Sequence, residues 1–160
     1  MQNNQENLRN AMRQWVSGVA VVTSVCGSAQ AGTTISSFTS ISLDPPLILI
    51  NLAVENPIQT MIEQSGVFGI SVLGEDQSNI SDLFAGYNKE IKDRFKAIKT
   101  FTLKSGVPFI EGGVAFVDCK VFHRCLMPKS VVIVGKVMDG KSKEGQKPLI
   151  FLNRGYVNLK

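Results

Sequence analysis

Near the amino terminus the apolar residues follow a helical spacing and then switch abruptly to an extended one. Leu8, Ala11, Met12, Trp15 and Val16 recur at i, i+3, i+4, i+7 and i+8. That spacing predicts an amphipathic helix that begins near Asn4, is ended by Gly18 and packs its apolar face on something beneath it. Residues 19–25 (V-A-V-V-T-S-V) are short and rich in β-branched side chains, and 27–30 (G-S-A-Q) read as a turn before a second extended stretch over 33–42. After the double proline Pro45-Pro46, residues 47–52 are apolar but for Asn51 and are read as a strand buried on both faces. Asn56-Pro57 then supplies an N-cap and an N1 proline for a helix to about Gln64, and 67–73 reads as the next strand.

Glu75 or Asp76 is placed to cap a short helix carrying Ile80, Leu83 and Phe84, after which Gly86-Tyr87-Asn88 opens a charged loop that ends at Asp93-Arg94-Phe95. Two long apolar-rich segments, 114–126 and 131–138, are joined by the tight connection Met127-Pro128-Lys129-Ser130, and a last strand is expected over 148–152. Many strands, short turns and two or three helices predict a mostly β (α+β) antiparallel barrel with helical covers rather than a βαβ series. Gly112-Gly113 and Gly66 lack the G-x-G-x-x-G spacing, so the sequence does not support dinucleotide binding on a Rossmann fold.

At 160 residues the chain reads as a single domain over 1–160, long enough to close one core. Its one histidine, His123, and three cysteines, Cys26, Cys119 and Cys125, show no zinc-ligand spacing, so no metal site is expected and any cofactor is organic. Two of the cysteines sit on apolar runs, which predicts reduced, buried thiols and a cytoplasmic protein. Seventeen Lys and Arg against thirteen Asp and Glu give a net charge of +4. The excess is thin: Lys89, Lys92, Arg94, Lys96 and Lys99 are interleaved with acids, which fits a phosphate-anion site or a solvated loop better than a nucleic-acid surface. No apolar stretch approaches the ~18 residues of a membrane helix, and the polar start lacks a signal-peptide core.

The stretch from Thr33 to Ser42 places seven hydroxyl residues among ten. The residues alone leave two readings open. Hydroxyls alternating with Ile and Phe form a strand with a solvated face, or small hydroxyls and the backbone N–H groups between them make room for, and hydrogen-bond to, a flat ligand with a polar edge or phosphate. Asn56 is likewise either a helix cap or a ligand donor, and Arg94 either an ion-pair partner of Asp93 or Glu90 or an anion site.

Five motifs, in order, resemble those of the short-chain flavin reductases, the FMN-binding split-barrel proteins. Ser17 to Thr23 (S-G-V-A-V-V-T) is similar to T-G-V-x-V-V-T, and Thr33 to Pro46 to T-x-N-S-F-x-S-V-S-L-x-P-P. Phe68 to Leu73 resembles F-x-V-N-V-L, Lys92 to Phe95 is K-D-R-F, and Asp118 to Val121 with Val134 to Val137 resemble E-C-x-V and I-G-E-V. The resemblance implies a six-stranded split barrel, a homodimer, and FMN or FAD reduced by hydride from NADH or NADPH, for delivery to a monooxygenase or another electron-acceptor protein. Carried over by position, it implies Thr34, Ser36 and Ser37 along the ribityl chain and ring, and Ser40 and Ser42 at the pyrimidine edge. Asn56 and Thr60 would lie at the phosphate, beside free N–H groups of the helix that starts at Pro57, and Arg94 would be the cation facing it.

Three positions depart from the family pattern. Ser36 and Ser71 stand where the motifs carry asparagine, and Ser130 stands where a G-D-H turn places a histidine on the nicotinamide side of the flavin. His123 is seven residues earlier, on the preceding strand, and is not assigned to the site. An alternative therefore stands beside the reductase: a flavin-binding or electron-carrier protein without direct nicotinamide use.

Overall fold

The computed structural model describes residues 2–87, 90–91 and 93–159, the side chain of Gln2 excepted. The chain runs α1 (Gln2–Arg13), β1 (Ser17–Gly18), β2 (Ala20–Cys26), β3 (Ala29–Ile35), β4 (Phe38–Leu43), β5 (Pro46–Ala53), α2 (Pro57–Ser65), β6 (Val67–Val72) and α3 (Ser78–Ala85). A short 3-10 turn, Phe95–Ala97, precedes β7 (Thr100–Thr102), β8 (Pro108–Ile110), β9 (Ala115–Leu126), β10 (Ser130–Ser142), β11 (Ile150–Leu152) and β12 (Gly155–Val157).

The main sheet is antiparallel and has seven strands in the order β3-β2-β6-β9-β10-β5-β4, one more than the resemblance implied. Its two edges, β3 and β4, are separated in sequence only by Ser36 and Ser37. Three Cα–Cα steps span at most about 11 Å, so the sheet must roll until its edges meet, and the result is a barrel split along one seam. Ser37 fastens the bend to β5: its carbonyl accepts from Asn51 N–H at 3.2 Å and its hydroxyl donates to the Asn51 carbonyl at 2.6 Å. The extended stretch expected over 33–42 is therefore two strands broken at the bend.

Inside the barrel, Val22, Ile50, Phe68, Ile70 and Ile133 pack together, with Ile58 and Ile62 of α2 added to the same core. Asn56 caps α2 as expected, and Gly66 ends it at φ +70°, a conformation in which glycine meets no Cβ penalty. On the other face of β2, Val19 and Val21 join Phe84 of α3 and Leu149 in a second cluster, so β2 is buried on both sides. That role was expected of β5, but β5 alternates: Ile48, Ile50 and Leu52 are buried while Asn51 and Ala53 are exposed, because only its inner face meets the core.

Helix α1 departs further from expectation. It stops at Arg13, because Ser17 and Gly18 are drawn into β1 to pair with Phe151 and Ile150. The expected apolar face is not buried within the described chain: Leu8 and Met12 on the helix, and Trp15 and Val16 just after it, are all more than half exposed. Gln77, not Glu75 or Asp76, precedes α3, and its amide instead accepts from Gly74 N–H and donates to the Glu111 carbonyl. All three cysteines are free thiols, but only Cys119 is buried. Burial first, and the adjacent Asp118 charge second, push its thiol up to about 12. Cys26 and Cys125 sit where β2 and β9 run out of the core into solvent.

The carboxyl-terminal hairpin of β11 and β12 is fastened to α3 by Tyr156. Its phenol donates to Asp82 Oδ1 at 2.6 Å and lies 2.9 Å from the Ser81 hydroxyl. Burial, followed by the hydrogen bond to Asp82, raises the phenol above its ordinary value of 10.0.

Two predictions follow from this packing. A Cβ at Gly135 would lie 2.5 Å from Phe68 Cζ and 2.9 Å from Cys119 Cβ, so Gly135→Ala is expected to cost roughly 1–3 kcal/mol by overpacking, read as a lowered midpoint in thermal or urea denaturation. Removing the hydroxyl in Tyr156→Phe is expected to cost about 1 kcal/mol at neutral pH. Because the folded phenol holds its proton above pH 10, the wild-type advantage declines as pH rises from there through the folded value, and denaturation of the two proteins across alkaline pH measures it.

Candidate functional site

Three cavities open in succession along β3 and the seam. Gly32 and Thr33 help line the first, of about 700 Å³. Thr34 and Ser36 line the smallest, of about 170 Å³. Ser36, Ser37 and Thr39 help line another, of about 560 Å³. Side chains of the strand alternate between its faces: Thr33 meets Asn56 at the start of α2 and Thr34 meets Ser81 of α3, so the hydroxyls of 33–37 form a polar track that reaches the cavities along this edge strand from both of its faces.

At the first cavity, β3 meets the start of α2. Asn56 holds the two together: its Nδ2 donates to Thr33 Oγ1 at 3.1 Å, and its Oδ1 accepts from Ile58 N–H at 3.3 Å. The expected free N–H groups of this helix start are not present. Pro57 has none, Ile58 is taken by Asn56 Oδ1, and Gln59 N–H donates to the Asn56 carbonyl at 3.1 Å. What α2 offers this cavity is the positive end of its dipole and the Asn56 side chain.

Arg94 reaches the same cavity from the opposite wall. Its Nη1 donates to the carbonyls of Phe84 at 3.1 Å and Gly32 at 3.3 Å, tying α3 to β3. It does not pair with Asp93, which pairs with Lys96. The half-buried guanidinium is thus held in place by neutral carbonyls and, among the described residues, is in no ion pair, in a cavity whose wall also carries Glu55 and Asp93. Lys89 and Lys92 of the charged loop lie outside the described residues.

The remaining hydroxyls divide. Thr34 donates to the Ser81 carbonyl at 2.6 Å and Ser37 to that of Asn51, so toward the cavities both act as acceptors. Ser36 is exposed at the bend and lines two cavities. Ser40, Ser42 and Thr60 are not brought to the track. Ser40 is exposed on β4, Ser42 donates to the Pro45 carbonyl at 2.5 Å within the turn, and Thr60 is exposed on α2, accepting from Gln59 Nε2 at 2.8 Å.

Of the departures from the family pattern, Ser71 is fully buried and accepts from Ile110 N–H at 3.0 Å, which anchors β8 and keeps it away from the cavities. Ser130 opens β10 opposite Ala53, a residue of the first cavity's wall. His123 is exposed on β9 opposite Val134 and lines none of these cavities. The sequence reading missed Thr33, Phe84 and Phe95 at the first cavity, together with Arg9, Arg13 and Arg154 at the 560 Å³ one. The i, i+4 spacing of Arg9 and Arg13 was a visible signal, but nothing in the sequence joins them to Arg154. Among the described residues there is no group of three or more His, Cys, Asp or Glu able to hold a metal ion, and no helix long and apolar enough to cross a membrane.

Comparison with known proteins gives this geometry a family. Residues 12–160 match the family described as flavin reductase like domain. Among curated proteins, an NADH-dependent flavin reductase of a Rhodococcus species is 34% identical over 96% of this chain and 85% of its own length. The reductase component of 4-hydroxyphenylacetate 3-monooxygenase from Thermus thermophilus is 29% identical over 96% of both chains. Among solved structures, flavin reductase PheA2 superposes with a TM-score of 0.89 at 30% identity, covering 97% of both chains. The Streptomyces globisporus NADH:FAD oxidoreductase SgcE6, in complex with NAD and FAD fragments, gives 0.91 at 27% identity over 100% of this chain and 95% of the other. The split barrel, the hydroxyl track at its seam and a match covering nearly the whole length place this chain in the flavin reductase like family.

Proposed function

We propose that this protein is an NAD(P)H-dependent flavin reductase that takes FMN or FAD along the track from Thr33 to Ser37, with the flavin phosphate at the first cavity. The observation that carries this reading is the polarity of the track. One end has a fixed guanidinium, a helix dipole and an asparagine, the requirements of a phosphate; the other has small hydroxyls and aromatic side chains, the requirements of a flat heterocycle. The donor set fits a flavin.

Arg94 and Asn56 hold the phosphate end, with Thr33 braced between β3 and α2. Thr34 and Ser37, whose protons are committed to backbone carbonyls, accept from ribityl hydroxyls or ring N–H groups, while the exposed Ser36 is free to donate or accept. Ser40, Ser42 and Thr60 are left out of this set. When bound, a flavin supplies the redox chemistry itself, accepting hydride at N5 from a dihydronicotinamide, and the protein supplies orientation and electrostatics.

The relatives named as reductase components of monooxygenases support a role in supplying reduced flavin to a partner oxygenase. Use of reduced nicotinamide is in keeping with a cytoplasmic setting. We also read the chain as one domain over 1–160 that pairs as a homodimer. Leu43, Phe122 and Leu126 are large apolar side chains 89%, 60% and 72% exposed, a surface that a second copy would cover. The carrier reading without nicotinamide use is favoured by one observation, Ser130 in the family's histidine position.

Anaerobic mixing separates the two. The flavin-loaded protein is expected to lose its flavin absorption band on addition of NADH or NADPH; bleaching by dithionite alone would establish the carrier instead. Arg94→Ala is expected to weaken FMN by roughly tenfold or more, on the scale of a charge-assisted hydrogen bond, and to leave riboflavin, which has no phosphate, much less affected. Equal losses for both would remove Arg94 from the phosphate site.

A further inference from the structure

We propose that Tyr156 is a positioning residue for the flavin: by tying the carboxyl-terminal hairpin to α3, it fixes the aromatic wall at the ring end of the track relative to Arg94 at the phosphate end, so that one ligand engages both ends together. This rests on the flavin reading above and goes beyond it to a side chain that lines neither of the two larger cavities.

The two ends of the track are built on different units of structure. Arg94 Nη1 bonds to the carbonyls of Phe84 and Gly32, and Thr34 donates to the Ser81 carbonyl, so α3 and β3 are joined at two points and carry the phosphate end. Phe151 lines the ring-end cavity from a separate small sheet, β1-β11-β12. The base of that hairpin is anchored at Leu149, whose backbone bonds to Val19 and Leu73. Two residues further on, Phe151 and Tyr156 are cross-strand neighbours, their ring centroids 5.8 Å apart and their planes inclined at 66°. Both rings pack against the apolar cluster that holds Phe84 and Leu149. Apolar contact is non-directional and leaves such a packing free to slide. The phenol supplies the direction: it donates to Asp82 Oδ1 at 2.6 Å and lies 2.9 Å from the Ser81 hydroxyl. Ser81 thus receives β3 on its carbonyl and β12 on its side chain.

These bonds lie in the wall of the 170 Å³ cavity, which shares Ala85 with the first cavity and Ser36 and Phe151 with the ring-end one. The junction of the two units therefore sits where the ribityl chain spans from phosphate to ring. A ligand with two anchors gains from the second only when the two sites are held at a matching spacing, because loose spacing lowers the effective concentration of the second contact. Tyr156 holds that spacing, and its contribution to binding is an interaction with Arg94 transmitted through α3.

Affinities of wild type, Arg94→Ala, Tyr156→Phe and the double variant for FMN and riboflavin, read from quenching of flavin fluorescence, test this. Phenylalanine keeps the ring packing, so Tyr156→Phe is expected to fold with the modest loss of stability given above. It is expected to weaken FMN about fivefold and riboflavin less than about twofold. In that background Arg94→Ala is expected to weaken FMN only about twofold in place of about tenfold, the non-additivity of residues that act on one ligand. Asp82→Asn, which keeps an oxygen for the phenol to donate to, should retain most of this interaction, and Asp82→Ala should reproduce Tyr156→Phe. A merely structural role lowers the melting temperature without moving the FMN-to-riboflavin ratio. The same loss from Arg94→Ala in both backgrounds, or equal losses of FMN and riboflavin in Tyr156→Phe, overturns the proposal. So does wild-type protein that binds FMN no more tightly than riboflavin. None of these readouts needs turnover. Non-additivity in a protein whose flavin NADH fails to bleach upholds Tyr156 and removes the reductase reading, whereas additive losses in a protein that bleaches normally reject Tyr156 alone.

Discussion

Two residues, Ser36 and Ser37, join the opposite edges of a seven-stranded sheet, and so short a link obliges the sheet to roll up. An open sheet of this size would leave two long edges of unpaired backbone groups. Rolling brings β3 and β4 to one seam, and the Ser37–Asn51 hydrogen bonds fasten the bend to β5. The barrel wall cannot be continuous there. The cavities that follow one another past Thr33, Thr34, Ser36 and Ser37 occupy that discontinuity, so the polar track is a consequence of how the sheet closes.

The elements around the seam are held by bonds that also prepare the site. Arg94 ties the carbonyls of β3 and α3 and is thereby immobilised with its charge toward the first cavity. Asn56 caps α2 with one end of its amide and fixes Thr33 with the other. A side chain already ordered by its own structural duty loses little further entropy when a ligand arrives. The choice between cap and ligand donor for Asn56 is therefore not exclusive, because the capping contacts are what position it.

The serines that replace asparagines and a histidine behave differently from one another. Ser71 is sealed in the core, where its hydroxyl anchors β8 and the smaller side chain is simply part of the packing. Ser36 remains at the surface of the track. Ser130 stands at the start of β10 against the wall of the first cavity. A change that looks uniform in sequence thus has one outcome sealed in the core and two outside it, of which Ser36 lines cavities and Ser130 pairs with a cavity-wall residue.

Short-range rules were enough to read most strands of the barrel, the Asn56-Pro57 helix start and the five motifs of the family, because β-branching, capping and turn chemistry act between neighbours in the chain. The hydroxyl run from Thr33 to Ser42 was visible for the same reason. Which of its members line a cavity was not, since the break at Ser36-Ser37 puts Ser40 and Ser42 on another strand, and that break exists only because β3 and β4 are opposite edges of one sheet. The short strands β7, β8 and β12 escaped notice because their pairing partners, not their own three residues, make them strands. Trp15 and Met12 read as a buried helix face, yet they stand in solvent once Ser17 and Gly18 pair with a strand more than a hundred residues away. Arg9, Arg13 and Arg154 carry no mark of a common site along the chain; a hydrogen bond from Asn153 to the end of α1 assembles them. Local propensity determines the elements, and long-range pairing decides which side chains from distant elements share a cavity.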